Sequence, residues 1–275
     1  MNALFEIAGG SIAGQAHVAA GRNNQDAFCW VQDDAGLVAV VCDGCSSGAH
    51  SEVGAQIGAR LVCQSLAALL AAERDLPTLL ERARMDVLAR LRLLATAMNA
   101  RAATSSGSGL VSDLSQSVLD YFLFTVVGVI VSITHATPFS LGDGLILLNG
   151  ERRRLGPFVD NEPPYLGYGL LPRSSSSTSS SRWTFQIHEA IPVEELDSLL
   201  VGTDGAVDLE ALVDRTVYGR DESVGPLSQF WTDDRFFRNS DMVRRRLTVI
   251  NRGPRGGLLP DDTTVVAVRR KLGGA

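Results

Sequence analysis

The sequence predicts a single domain of layered α and β structure, on three observations. Its 275 residues are 45% hydrophobic, enough to bury a sizeable core and within the reach of one large α/β or β-rich domain. Short β-prone apolar runs alternate with longer stretches at helical spacing. Turn pairs rich in Gly, Asn and Asp punctuate them, and no internal repeat is present.

In chain order, residues 28–31 and 37–42 read as strands joined by a turn at 33–36. Residues 52–72 read as a helix, because Val53, Ile57, Leu61, Leu66, Leu69 and Leu70 keep helical spacing. Pro77 opens a second helix running to about residue 103, with Leu79, Leu80, Ala83, Val87, Leu91 and Leu94 on one face and arginines on the other. A Ser/Gly loop at 104–109 leads to three expected strands, 121–133, 136–141 and 145–148, the last ending in the hairpin pair Asn149-Gly150. The longest apolar run, 121–131, is far short of the ~20 residues of a membrane span and reads as a buried strand. Residues 156–181 hold four prolines and then SSSSTSSS, which predicts a mobile flap. Strands at 183–188 and 196–201, helices at 208–217 and 233–250, and a closing strand at 263–270 complete the chain.

Bulk properties narrow the function. Net charge is -6 with a pI near 5.3, and apart from 152–154 and 244–246 the basic residues are dispersed, so no nucleic-acid footprint is present. The opening MNALFEIAGG has no basic region followed by a long apolar stretch, which predicts a cytoplasmic protein without a signal peptide and with no membrane partner. Of the four cysteines, Cys29, Cys42, Cys45 and Cys63, the Cys42/Cys45 pair lacks the second pair that a zinc site needs. They read as reduced thiols, with Cys45 the sharper redox candidate.

The informative pattern is carboxylate placement. In VVCDGCSSGAHSEVGA, residues 40–55, an apolar strand delivers Asp43 onto a glycine turn that opens into a helix. QDAF at Asp26, GDG at Asp143 and TDG at Asp204 repeat the device, and Asp261-Asp262 precedes the last strand. One Asp-Gly pair is ordinary turn chemistry. Five such aspartates at strand ends describe a rim, where glycine lets backbone approach an ion closely. Magnesium and manganese take such hard oxygen ligands. Two ions ~3.5 to 4 Å apart activate water and neutralise phosphate, so the implied chemistry is phosphoester hydrolysis.

The order and surroundings of these motifs, from about residue 10 to 270, resemble the metal-dependent protein serine/threonine phosphatase family (protein phosphatase 2C, PPM type). His17, ahead of GRNNQDAF, and Gly21 and Gln25-Asp26-Ala27 within it, with DGCSSGAHSEVGA after them, are similar to its bacterial branch. The resemblance implies an α+β fold of two packed antiparallel β-sheets flanked by helices, a four-layer α-β-β-α sandwich formed by residues 1–275 as one domain. It implies a phosphatase that hydrolyses phosphoserine and phosphothreonine in proteins by direct attack of a metal-activated water. Asp43 would bridge two magnesium or manganese ions, Gly44 would offer its carbonyl, Asp204 and Asp261 would ligate the second ion, and Asp26 would hold water in the outer shell. Asp143 resembles the ligand of a third, weaker ion. The implied partner is a phosphorylated protein, the substrate of a serine/threonine kinase in bacterial signalling.

Four positions depart from the family pattern. Gln25 stands where a glutamate is usual, Asp262 where an asparagine is, and Cys45 where many members carry a histidine that donates a proton. The phosphate-anchoring arginine is displaced to Arg22, next to Gly21. A thiol is a poor acid at neutral pH, so metal-bound water, His17 and His50 are the alternative proton donors. Two other functions remain open: a pseudophosphatase that binds a partner, and a hydrolase of small phosphoesters.

Overall fold

The computed structural model describes residues 4–102, 110–159, 162–172, 183–253 and 257–271. Two antiparallel sheets pack face to face. The first runs β1-β11-β10-β6-β7, built from β1 (Phe5–Ile12), β11 (Thr263–Arg270), β10 (Ser198–Gly202), β6 (Gly144–Leu148) and β7 (Glu151–Leu155). The second runs β2-β3-β4-β5-β8, from β2 (Asp26–Gln32), β3 (Leu37–Asp43), β4 (Val126–Val131), β5 (His135–Leu141) and β8 (Gln186–Ile187), with β9 (Ile191–Pro192) also on β5.

The side-chain period of two sets the layers. On β3, Leu37, Ala39 and Val41 point between the sheets, where they meet Val127, Val129, Ile146, Val201 and Val266. Val38, Val40 and Cys42 point outward, under the helices α2 (Ser51–Leu70) and α3 (Leu76–Ala102). A strand covered on both faces has no polar alternation, so its sequence is one unbroken apolar run. The first sheet is covered by α5 (Gly205–Ala211), α6 (Gln229–Thr232), α7 (Arg235–Arg238) and α8 (Met242–Ile250), whose Leu209, Phe230, Phe236 and Leu247 close on Leu145, Leu200 and Val265. This is the four-layer sandwich expected above. Among the described residues, α2 is the one helix long and apolar enough to cross a membrane, and half of that window is buried here.

Several boundaries differ from the sequence reading. The expected strand 121–133 begins only at Val126, because Tyr121 ends α4 (Leu110–Tyr121) and the next residues, Phe122, Leu123 and Phe124, plug the core beneath α2. An apolar run has no signature that separates ladder from plug. The helix expected at 233–250 is broken into α7 and α8: Asn239 Oδ1 accepts the Asp241 N–H at 3.0 Å, a local side-chain bond that competes with the helical ladder. The helix expected at 208–217 starts earlier and ends at Ala211, and of 183–188 only Gln186–Ile187 pairs. Three strands went unread. β9 is only the pair Ile191–Pro192. β1 contains Gly9 and Gly10, which interrupt its pattern, and β7 is the polar edge ERRRL.

The flap expected at 156–181 is in part a fixed element. Leu166–Leu170 form a 3-10 turn, Tyr165, Leu166 and Leu170 are buried, and Leu166 N–H donates to Phe124 O at 3.2 Å. These residues belong to the core under α3. The serine tract lies outside the described residues.

Candidate active site

Strand ends bring the aspartates together. Asp26 opens β2, Asp43 closes β3, and the ladder pairs them directly. Residues opposite each other in an antiparallel ladder share a face, so two carboxylates stand side by side at one end of the second sheet. Asp204 follows β10 and Asp261 precedes β11, its neighbour in the first sheet. Asp143 occupies the turn from β5 to β6, flanked by Gly142 at φ 108 and Gly144 at φ 140, backbone that glycine adopts without strain. Gly44 is equally constrained: a Cβ there would meet Ser51 O at 2.8 Å and Gln25 O at 2.9 Å.

Electrostatics record this convergence. Burial first, then the charges of Asp26, Asp204, Asp261 and Asp143, push the Asp43 carboxyl well above the usual carboxylate range. Asp26 is raised by burial, with hydrogen bonds from Thr203 and Thr264 opposing and Asp262 and Asp204 adding. Asp204 is pushed up to about 7 by burial and by Asp261 and Asp143. Asp143 is raised by burial and Asp261, with Arg154 opposing. Like charges so close, with little cationic relief, are the arrangement of a cation site.

The residues fit the ions that the donor chemistry requires. Asp26 is 4% exposed, and its Oδ2 accepts the Thr203 hydroxyl at 2.7 Å while its Oδ1 is buried without a protein partner. A buried, unpartnered carboxylate oxygen is costly unless something else binds it. With carboxylate and carbonyl donors only, hard divalent ions suit the set. His17, Asp261 and Asp262 also place one donor atom each within 4.8 Å of one another.

Around the rim, the departures noted in the sequence acquire definite surroundings. Asp262, 2% exposed, accepts Gly14 N–H at 2.7 Å through Oδ1 and Gln25 N–H at 2.5 Å through Oδ2, and His17 Nδ1 lies 2.8 Å from Oδ1. It clamps α1 (Gln15–Ala19) and the first motif to the start of β11. An asparagine offers only one acceptor oxygen, so its amide would face one of these N–H groups. Asp262→Asn is therefore expected to destabilise the fold by about 1 to 3 kcal/mol; an unchanged thermal midpoint would contradict the clamp.

Gln25 Nε2 donates to Ser51 Oγ at 2.6 Å, which ties the first motif to α2. Arg22 donates to Ser46 O at 3.0 Å and Gly48 O at 3.2 Å, holding the loop after Asp43. His50 is exposed at the N-cap of α2, stacks on Tyr121 at 5.0 Å, and touches none of the five aspartates among the described contacts. Cys45 is buried, with Sγ 3.1 Å from Ser47 Oγ.

Three residues of the rim went unread in the sequence. Tyr165, from the fixed part of the expected flap, neighbours Cys45; burial, then that neighbour, then the charges of Asp43 and Asp143 keep its phenol protonated. Thr203 accepts Thr264 N–H and donates to Asp26, linking β10, β11 and β2. Asp208, raised by burial and by Asp261, stands one turn after Asp204. Its spacing of four on a helix was the available signal.

A family model described as protein phosphatase 2C matches residues 13–243. Among solved structures the chain is similar to a bacterial serine phosphatase, at 15% identity and TM-score 0.50, covering 98% of this chain and 100% of that one. It is also similar to the S. agalactiae serine/threonine phosphatase, at 20% identity and TM-score 0.46, covering 97% and 100%. PppA of Pseudomonas aeruginosa matches at 20% identity and TM-score 0.48, covering 97% and 98%. No curated protein matches the chain. Identities at this level speak to the fold alone, whereas the family model spans most of the sequence and both of its first aspartate motifs: the chain belongs to the protein phosphatase 2C family of metal-dependent protein serine/threonine phosphatases.

Proposed function

We propose that this rim is a phosphomonoesterase centre for phosphoserine and phosphothreonine, holding two magnesium or manganese ions. The observation that carries the reading is the pairing of Asp26 with Asp43 across the ladder, with Asp143, Asp204 and Asp261 loading their charge onto Asp43. Asp43 and the Gly44 carbonyl would hold the ions together with Asp204 and Asp261, and Asp26 would hold water beside them. Asp143 is assigned to a third, weaker site. When bound, the ions supply an activated water for direct attack on phosphorus and offset the charge of the phosphoryl group.

The chain's own residues do the positioning. Thr203 holds one oxygen of Asp26, leaving the other without a protein partner. Asp262 fixes the backbone of the first motif and stands beside His17, to which we assign proton transfer to the leaving group. Arg22 braces the loop after Asp43 and keeps further guanidinium donors for the phosphate. The substrate is a phosphorylated protein, and a serine/threonine kinase in the cytoplasm is its counterpart.

Hydrolysis of p-nitrophenyl phosphate and of a phosphothreonine peptide, each with manganese, magnesium or chelator, tests the reading. Activity with either ion, abolished by chelator, is expected, with the peptide preferred in kcat/KM. Equal rates with ion and with chelator would leave a binding module, and preference for the small ester would shift the substrate class.

A further inference from the structure

The catalytic assignment makes no use of Cys29 and Cys63, yet the fold brings them together. Cys29 lies in the middle of β2 and Cys63 on the face of α2 that packs against that strand. Cys63 Sγ donates to the Cys29 carbonyl oxygen at 3.0 Å, and each thiol shifts the other's ionisation. Cys63 is fully buried, while Cys29 is only half-buried. Arg60, one turn before Cys63 on α2, bears on Cys29 and lines a surface pocket of about 180 Å³ with Asn24, Phe28 and Gln56. That pocket reaches β2 at Ala27 and Phe28, the residues just before the half-buried Cys29.

The two sulfurs are chemically unequal. The Cys63 thiol and, to a lesser degree, the Arg60 charge outweigh burial and bring the Cys29 thiol down to about 7. Burial first, then the Cys29 thiol, pushes Cys63 up. A partly exposed thiol near neutrality beside a buried thiol is the pairing of an attacking and a resolving cysteine. Cys42 is fully buried and raised by burial and by the charges of Asp26 and Asp43. Cys45 is enclosed by Ser47 and Tyr165.

We propose that Cys29 and Cys63 form a hydroperoxide-sensitive modification site that closes a reversible disulfide between β2 and α2. The Cys29 thiolate attacks the outer oxygen of the hydroperoxide, the O–O bond breaks, and the alkoxide leaves as the alcohol, or as water from hydrogen peroxide. Cys29 is then a sulfenic acid. Cys63 sulfur attacks that sulfur, the S–S bond forms, and hydroxide leaves with the Cys63 proton as water. Two thiols and one hydroperoxide thus give one disulfide, one alcohol and one water. The bond ties the strand that carries Asp26 to α2.

The test treats native, metal-free protein with hydrogen peroxide, blocks remaining thiols before unfolding, and maps peptides without reduction. Loss of two of the four thiols to a Cys29–Cys63 bond, and their recovery with dithiothreitol, is the expected result. Cys63→Ala should trap Cys29 as a dimedone-reactive sulfenic acid, and Cys29→Ser should give neither adduct nor disulfide. Native Cys29 should react at least ~10-fold faster than Cys42 or Cys45. Four free thiols after treatment, or a bond that pairs Cys42 or Cys45 instead, would overturn the proposal. The wild-type map decides even if the Cys63 variant fails to fold.

Discussion

Asp43→Asn is expected to lower turnover at saturating manganese by on the order of 10³-fold or more, about 4 kcal/mol in the barrier. The metal-free protein should nevertheless unfold at the same temperature or higher. Both expectations follow from one fact: Asp43 carries the repulsion of four other aspartates on top of burial. Removing its charge deletes the assigned metal ligand while relieving an unfavourable interaction in the empty fold. Steady-state kinetics with manganese, beside thermal melts in chelator, separate the two effects. Retention of more than a tenth of the wild-type rate would sink the ligand role, and a large loss of metal-free stability would show that Asp43 supports the fold.

Metal-free protein should lose stability as pH rises from about 4 to about 7, and excess manganese should cancel the loss at neutral pH. Asp204 sits at about 7 in the fold against an ordinary 3.8, with Asp26 and Asp43 also raised. The folded state therefore holds protons that the unfolded chain releases, and stability falls with pH wherever the native state binds more protons. The contribution is fully present below 3.8 and is lost as pH passes about 7. Such a shift corresponds to at most ~4 kcal/mol on one carboxyl. Asp204 is partly exposed, so solvent screening makes about 2 kcal/mol the better expectation. Asp241 works in the opposite direction but outside this window, because Arg244 and Arg245 hold it at about 2. Manganese cancels the loss because it binds the ionised carboxylates of the folded state alone. Melts in chelator at half-unit steps of pH measure the slope; a flat curve, or no shift with manganese at pH 7, would contradict the cluster's electrostatics.

Much of the aspartate cluster was legible in the sequence because its members carry a local mark. Asp43, Asp143 and Asp204 each precede a glycine after an apolar run, a pairing with a backbone reason. Thr203, Asp262 and Tyr165 carry no such mark. Their contribution is a hydrogen bond to a residue distant in the chain, 177 positions for Thr203 to Asp26 and 237 for Gln25 to Asp262. The fold was legible to the same degree. β3 and β11 have apolar runs that match their bounds, whereas β7 is too polar and β1 too glycine-rich to be read. The expected flap shows the same limit in reverse: proline and glycine at 156–172 suggested mobility, while Leu166 and Leu170 bury into the core under α3.

By itself the sequence determined the alternating layers of strand and helix, the five aspartates at strand ends, and the hard-metal chemistry that such oxygen donors select. Backbone propensity and side-chain period act over a few residues, so these features are written in neighbouring letters. The tertiary structure decided which carboxylates share one electrostatic field, that Asp262 clamps the first motif with His17 beside it, and that Cys29 meets Cys63 across β2 and α2. Those relations depend on strand order and register, which join residues far apart in the chain.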